Sequence, residues 1–124
     1  MFWNKKKKEE KELGTSFERL LYYTFVDYKT IDEQFIELAQ VLLGNRAVVA
    51  NFEEIHNLSD VNRAVAFLSG VCYACEGTVQ NIGNETFVFA TKKSLADGTI
   101  EHYIYDVAKT NVSLPIFCTV PSQA

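Results

Sequence analysis

The pair Cys72 and Cys75, spaced C-x-x-C, is the arrangement in this chain with the plainest chemical meaning. Two thiols at that spacing form a redox couple when they sit at an accessible helix N-terminus, where the dipole lowers the thiol pKa. They also make half of a zinc site, which needs two more ligands. The remaining candidates are Cys118, His56 and His102, and none stands at metal-site spacing from the pair. The pair falls at the C-terminal end of a predicted helix, on its apolar face. That position fits two small buried hydrophobes. His56 and His102 read as surface or boundary residues. Asp27, Glu53 and Glu54 fall near predicted strand ends, yet nothing marks two of them as an acid–base pair. Ser59 and Ser69 have no nucleophile context, and neither G-x-x-x-x-G-K-[ST] nor G-x-G-x-x-G occurs. The residue chemistry predicts no enzyme, no metal and no cofactor. The alternative is a small α/β domain that uses Cys72 and Cys75 as a redox or metal pair.

The elements that would position these residues follow from periodicity. Residues 20–28 are aromatic and β-branched and predict a strand, although Phe17, Leu20 and Leu21 also suit a helical turn. Phe35, Ile36, Ala39, Leu42 and Leu43 recur at helical spacing, which predicts a helix over 33–43 with Asp32 as N-cap and Gly44-Asn45 as its stop. Residues 47–52 form a short apolar run, as a strand covered on both faces would. A helix over 59–76 carries two apolar stripes. Val61, Val65, Leu68, Cys72 and Cys75 trace one, and Ala64, Phe67, Val71 and Ala74 the other. Asn57 or Ser59 suits its N-cap and Gly77 its C-cap. Residues 78–82 and 86–90 flank Gly83-Asn84-Glu85 and predict a hairpin. Residues 96–99 predict a turn and 100–107 a further strand, and Pro115 and Pro121 bracket an edge strand or ordered tail over 116–120. The fold class is α/β: a two-layer α/β sandwich, with two helices packed on one mixed β-sheet.

One glycine breaks the pattern. Gly70 lies inside the strongest predicted helix, where glycine costs about 1 kcal/mol relative to alanine. Such a cost suits a place where another backbone comes close. Ala66, Phe67, Ser69, Tyr73 and Ala74 lie around it and make a candidate oligomer interface. The alternative is close contact between the two helices of one chain.

The chain has 124 residues, 48% of them hydrophobic and 23% charged, a globular composition suited to one domain. No run of about 18 apolar residues occurs, and the N-terminus lacks the apolar stretch of a secretory signal, so a cytoplasmic protein is expected. Residues 1–12 hold five Lys and three Glu, a net of +2, and the remainder holds seven basic and thirteen acidic residues, a net of −6. The acidic body argues against nucleic acid as a partner. The tip differs, because Phe2 and Trp3 beside Lys5, Lys6, Lys7 and Lys8 suit an anionic membrane surface. The organisation expected is a charged tail over 1–14, an α/β core over 15–95 and a C-terminal extension over 96–124 that adds a strand.

Val48, Val49, Asn51, Arg63, Phe67-Leu68-Ser69-Gly70, Tyr73-Ala74, Gly77, Gln80, Ile82-Gly83 and Phe87 together form a pattern. It resembles the core of the SepF family of cell division proteins. The pattern runs over residues 24–95, and Phe-Leu-Ser-Gly-x-x-Tyr-Ala is its most specific part. Ala66 replaces the family's usual Asp, Phe52 a Leu and Lys92 a Pro, and the usual linker between tip and core is nearly absent. The resemblance implies a non-enzymatic adaptor in division septum assembly. Such a protein forms a homodimer or higher oligomer and binds the C-terminal tail of the tubulin-like protein FtsZ. It tethers or bundles FtsZ filaments at the inner face of the membrane, and Phe2, Trp3 and Lys5–Lys8 stand where the family has its membrane-binding segment. A structural protein that polymerises without FtsZ binding is the third reading. The sequence does not locate the tail-binding groove.

Overall fold

A computed structural model describes residues 14–110. Phe2, Trp3, Lys5–Lys8, Cys118 and the 116–120 segment lie outside the described residues. A turn over Thr15–Arg19 leads into β1, Leu21–Thr24, which is shorter than the 20–28 expected. α1 follows at Ile31–Leu43. Its N-cap is Thr30, whose hydroxyl accepts from the Glu33 N–H, and not Asp32. Asp32 sits in the first turn and pairs with Arg63. β2 is Val48–Asn51, and α2 is Leu58–Ala74 with Asn57 as N-cap. The hairpin of β3, Thr78–Gly83, and β4, Thr86–Ala90, turns at Asn84 and Glu85. Both turn residues have positive φ (50° and 55°), as a type I′ turn requires.

The four strands form one mixed sheet in the order β1-β2-β4-β3, with β1 and β2 parallel and the other pairs antiparallel. α1 and α2 pack on one face. Phe25, Leu38, Leu42, Phe52, Leu68, Cys72 and Phe89 are fully buried there, and stacked rings of Phe25 and Phe52 lie 4.5 Å apart. Gln34 is buried among them because its amide is fully used. Its Nε2 donates to the Val26 carbonyl at 2.8 Å, and its Oε1 accepts from Val26 N–H at 2.9 Å and Tyr23 Oη at 3.0 Å. These bonds pin the β1–α1 connection.

Two further expectations are corrected. Residues 100–107 are not a strand but part of a third helix, α3, Thr99–Thr110. Asp97 Oδ1 accepts from the Thr99 N–H at 3.1 Å and the Thr99 hydroxyl at 2.8 Å, which fixes the helix start. Ile100, Tyr103, Ile104 and Val107 then fall on one side, at helical spacing. α3 covers the second face of the sheet, where Ile100 joins Leu20, Ala47, Val49, Val88 and Ala90 in a separate core. The extension therefore adds a partial third layer to the α/β sandwich. The second correction is Gly77, which is not the C-cap of α2. The cap is Cys75, and Glu76 takes the left-handed conformation at φ 58°. Gly77 passes so close to β4 that an added Cβ would sit 1.8 Å from the Ala90 carbonyl oxygen.

Candidate functional site

α2 divides its residues between two environments. Val61, Ala64, Leu68 and Cys72 face the sheet and are buried. Phe67 leans on α1, its ring 4.5 Å from that of Phe35, and Arg63 lies over the other ring at 5.8 Å from the Phe35 centroid. Arg63 also pairs with Asp32 and with Asp60, which ties the first turns of the two helices together. The outer side of α2 has no partner within the described residues of this chain. Ala66, Gly70, Tyr73 and Ala74 are exposed, Ser69 is half-buried, and Tyr73 keeps 61% of its surface and Phe67 42%. A Cβ at Gly70 would meet no atom within 4 Å. The close intrachain helix contact considered for Gly70 is thereby excluded. Ile36 and Leu43, two of the apolar residues that recur at helical spacing in α1, are also exposed, with Leu43 at 62%. They lie one residue beyond the buried positions Phe35 and Leu42, at the margin of the apolar arc of α1. The two helices thus carry large apolar side chains in water.

The cysteines sit where redox chemistry is disfavoured. Cys72 is fully buried, and burial pushes its thiol up to about 12. Cys75 is half-buried at the C-terminal end of α2, not at the accessible helix N-terminus that a redox pair uses. Among the described residues, no three His, Cys, Asp or Glu side chains are grouped to hold a metal. His56 and His102 are far out in solvent. His56 Nδ1 lies 2.6 Å from Asp27 Oδ2, and the hydrogen bond and charge of that carboxylate raise the imidazole pKa. His102 lies 3.3 Å from Asp106, one turn along α3. Glu53 and Glu54 are exposed in the loop after β2 and form no pair with Asp27 at hydrogen-bond distance. No helix among the described residues is long and apolar enough to cross a membrane.

The sequence reading missed Asp97, which ties the chain's N-terminal turn to α3. Its Oδ2 accepts from the Ser16 N–H at 2.9 Å, and Phe17 N–H donates to the Thr99 hydroxyl at 2.9 Å. The Ala-Asp-Gly-Thr turn at 96–99 held the signal, because an Asp two residues before a helical Thr is a capping pattern.

Comparison with known proteins bears on the same segment. The family model for cell division protein SepF matches residues 26–94, from just after β1 through the turn after β4. A cell division protein SepF from Lactobacillus helveticus is 38% identical over 68 residues, covering 55% of this chain and 46% of the relative. One from Lactobacillus delbrueckii subsp. bulgaricus is 39% identical over 64 residues, covering 52% and 46%. One from Oceanobacillus iheyensis is 34% identical over 70 residues, covering 56% and 48%. The chain spans about half the length of the curated relatives it matches. α3 lies beyond the matched stretch. More than half of the chain fits the family model, including both sheet-packed helices and the hairpin, and the chain belongs to the SepF family of cell division proteins.

Proposed function

We propose that this protein is a non-enzymatic cell-division adaptor that self-associates, binds the FtsZ C-terminal tail and tethers or bundles FtsZ filaments at the inner face of the cell membrane. The observation that carries the reading is the outer face of α2 within a SepF-family core. Ala66, Ser69, Gly70, Tyr73 and Ala74 offer small and aromatic residues on that face, and Phe67 keeps 42% of its surface exposed beside its contact with Phe35. Apolar side chains on a helix are a usual site of association with a second copy. The proposed division of labour gives assembly to that face and membrane contact to Phe2, Trp3 and Lys5–Lys8. Each tip binds weakly, and assembly presents many together. Linked weak contacts raise avidity by about 10² to 10⁴ where geometry permits.

The test combines sedimentation of the full chain with binding of an FtsZ C-terminal tail peptide. A dimer or larger species that binds the peptide supports the reading. A monomer at all concentrations removes self-association. Assembly without peptide binding leaves a structural polymer in place of an FtsZ adaptor. The buried, proton-retaining Cys72 favours either of these over a redox or metal protein.

A further inference from the structure

We propose that the groove between the N-terminal turn and α3 is a docking site for the chain's own tip, Phe2 and Trp3 with Lys5–Lys8, and that this contact competes with lipid. The groove has a volume of about 480 Å³, and Thr15, Phe17, Glu18, Asp97, Tyr103 and Asp106 are among its lining residues. Its apolar wall is aromatic. The rings of Phe17 and Tyr103 lie 5.3 Å apart, tilted by 40°. Phe17 is exposed although it is a large ring, so the wall has room for a further ring. The polar lining holds three carboxylates, Glu18, Asp97 and Asp106, and one histidine, His102, with no lysine or arginine. Asp97 accepts backbone N–H bonds from Ser16 and Thr99, which hold its carboxyl below the usual carboxylate range. It therefore stays charged in the physiological range. Glu18 accepts from the Thr15 N–H at 3.0 Å, and Asp106 sits beside His102.

The tip has the complementary chemistry. Two aromatic rings precede four consecutive-lysine positions in a body that is otherwise acidic. Connectivity brings it to the groove. Thr15 lines the groove, and only Gly14 separates it from residues 1–13. The ten residues from Asn4 to Leu13 could span up to about 35 Å when extended, ample for folding back onto the adjoining surface. Glu9, Glu10 and Glu12 are repelled by the acidic rim, so the lysines and rings, and not the middle of the tail, are the part that docks. An intramolecular ligand acts at high effective concentration, which compensates for modest contact. The competition rests on the membrane role proposed above. A docked tip is withheld from lipid, and apparent membrane affinity falls to the intrinsic affinity multiplied by the undocked fraction.

Trp3 is the single tryptophan of the chain and reports docking directly. The measurement is Trp3 emission and acrylamide quenching without lipid, for the full chain and for a synthetic peptide of residues 1–13. Docking predicts blue-shifted emission and several-fold weaker quenching in the full chain, unchanged on dilution. The double variant Glu18→Lys/Asp106→Lys should return Trp3 to peptide-like behaviour, with its fold checked by circular dichroism. Phe17→Ala serves as the second variant and should do the same. Peptide-like emission in the wild-type chain would overturn the proposal. So would burial lost on dilution, which puts the tip on another copy, or burial that survives both variants. With vesicles containing anionic lipid, the groove variants should bind several-fold more tightly than wild type. If neither pellets, the anchor and the competition both fail, while the lipid-free Trp3 spectrum still decides docking.

Discussion

Gly77 shows how one residue can be required by backbone geometry alone. Its missing side chain leaves room for the Ala90 carbonyl, which sits on a paired strand and cannot retreat cheaply. Gly77→Ala should therefore cost about 3 kcal/mol or more in urea unfolding, while Gly70→Ala, facing open solvent, should be neutral or stabilise by up to about 1 kcal/mol. Equal effects at the two sites would contradict the packing described. The sequence shows both glycines near one helix but does not tell them apart, because a close approach depends on a strand thirteen residues further on. The cysteines were more legible, since an apolar stripe and a helix C-terminus already disfavour a reactive pair. Native Cys72 should resist a thiol reagent at pH 8 while Cys75 reacts, and rapid labelling of both would refute its burial. His56 gives a pH prediction of definite sign. Asp27 raises its folded pKa, so the pair stabilises the fold below the unfolded value of about 6.5 and loses that contribution as pH rises through the folded pKa. An NMR titration should place His56 above 6.5 and Asp27→Asn should bring it back down; no change in the variant would dismiss the interaction.

The elements on the helical face of the sheet were largely legible because burial there produces clean periodicity. α3 was not. Ile100, Tyr103, Ile104, Tyr105 and Val107 have strand propensity, and the alternation they partly show masked the i, i+3, i+4, i+7 pattern. The apolar run over 47–52 held the missing clue, since a strand buried on both faces needs a second covering layer. α3 supplies it. Ile100→Ala should destabilise by about 2–4 kcal/mol, whereas His102→Ala on the exposed side should stay within about 0.5 kcal/mol. Backbone chemical shifts typical of a strand over 100–107 would refute the helix. On α2, Gly70→Lys should leave the unfolding midpoint near wild type and weaken self-association, because the position is open within the chain and crowded only if a second copy packs there. An unchanged mass distribution by sedimentation would remove that face from the interface.

At the scale of the molecule, the body is acidic and the tip is basic and aromatic, so the one stretch whose charge suits an anionic surface is carried on a body that such a surface repels. That asymmetry was legible in composition. Which apolar side chains face water was not, because residues such as Ile36 and Leu43 look like core residues until the fold shows which side is exposed. Membrane contact should need anionic lipid, fall with salt and strengthen with assembly. The proposed link between FtsZ and a membrane through this chain is open to a three-component experiment. A labelled FtsZ C-terminal tail peptide is centrifuged with anionic vesicles, with and without the full chain, and with a version lacking residues 1–8. The peptide should pellet only when vesicles and the full chain are both present, and return to the supernatant with the shortened version. A peptide that stays in the supernatant while the full chain pellets, or that pellets equally with the shortened chain, would contradict it.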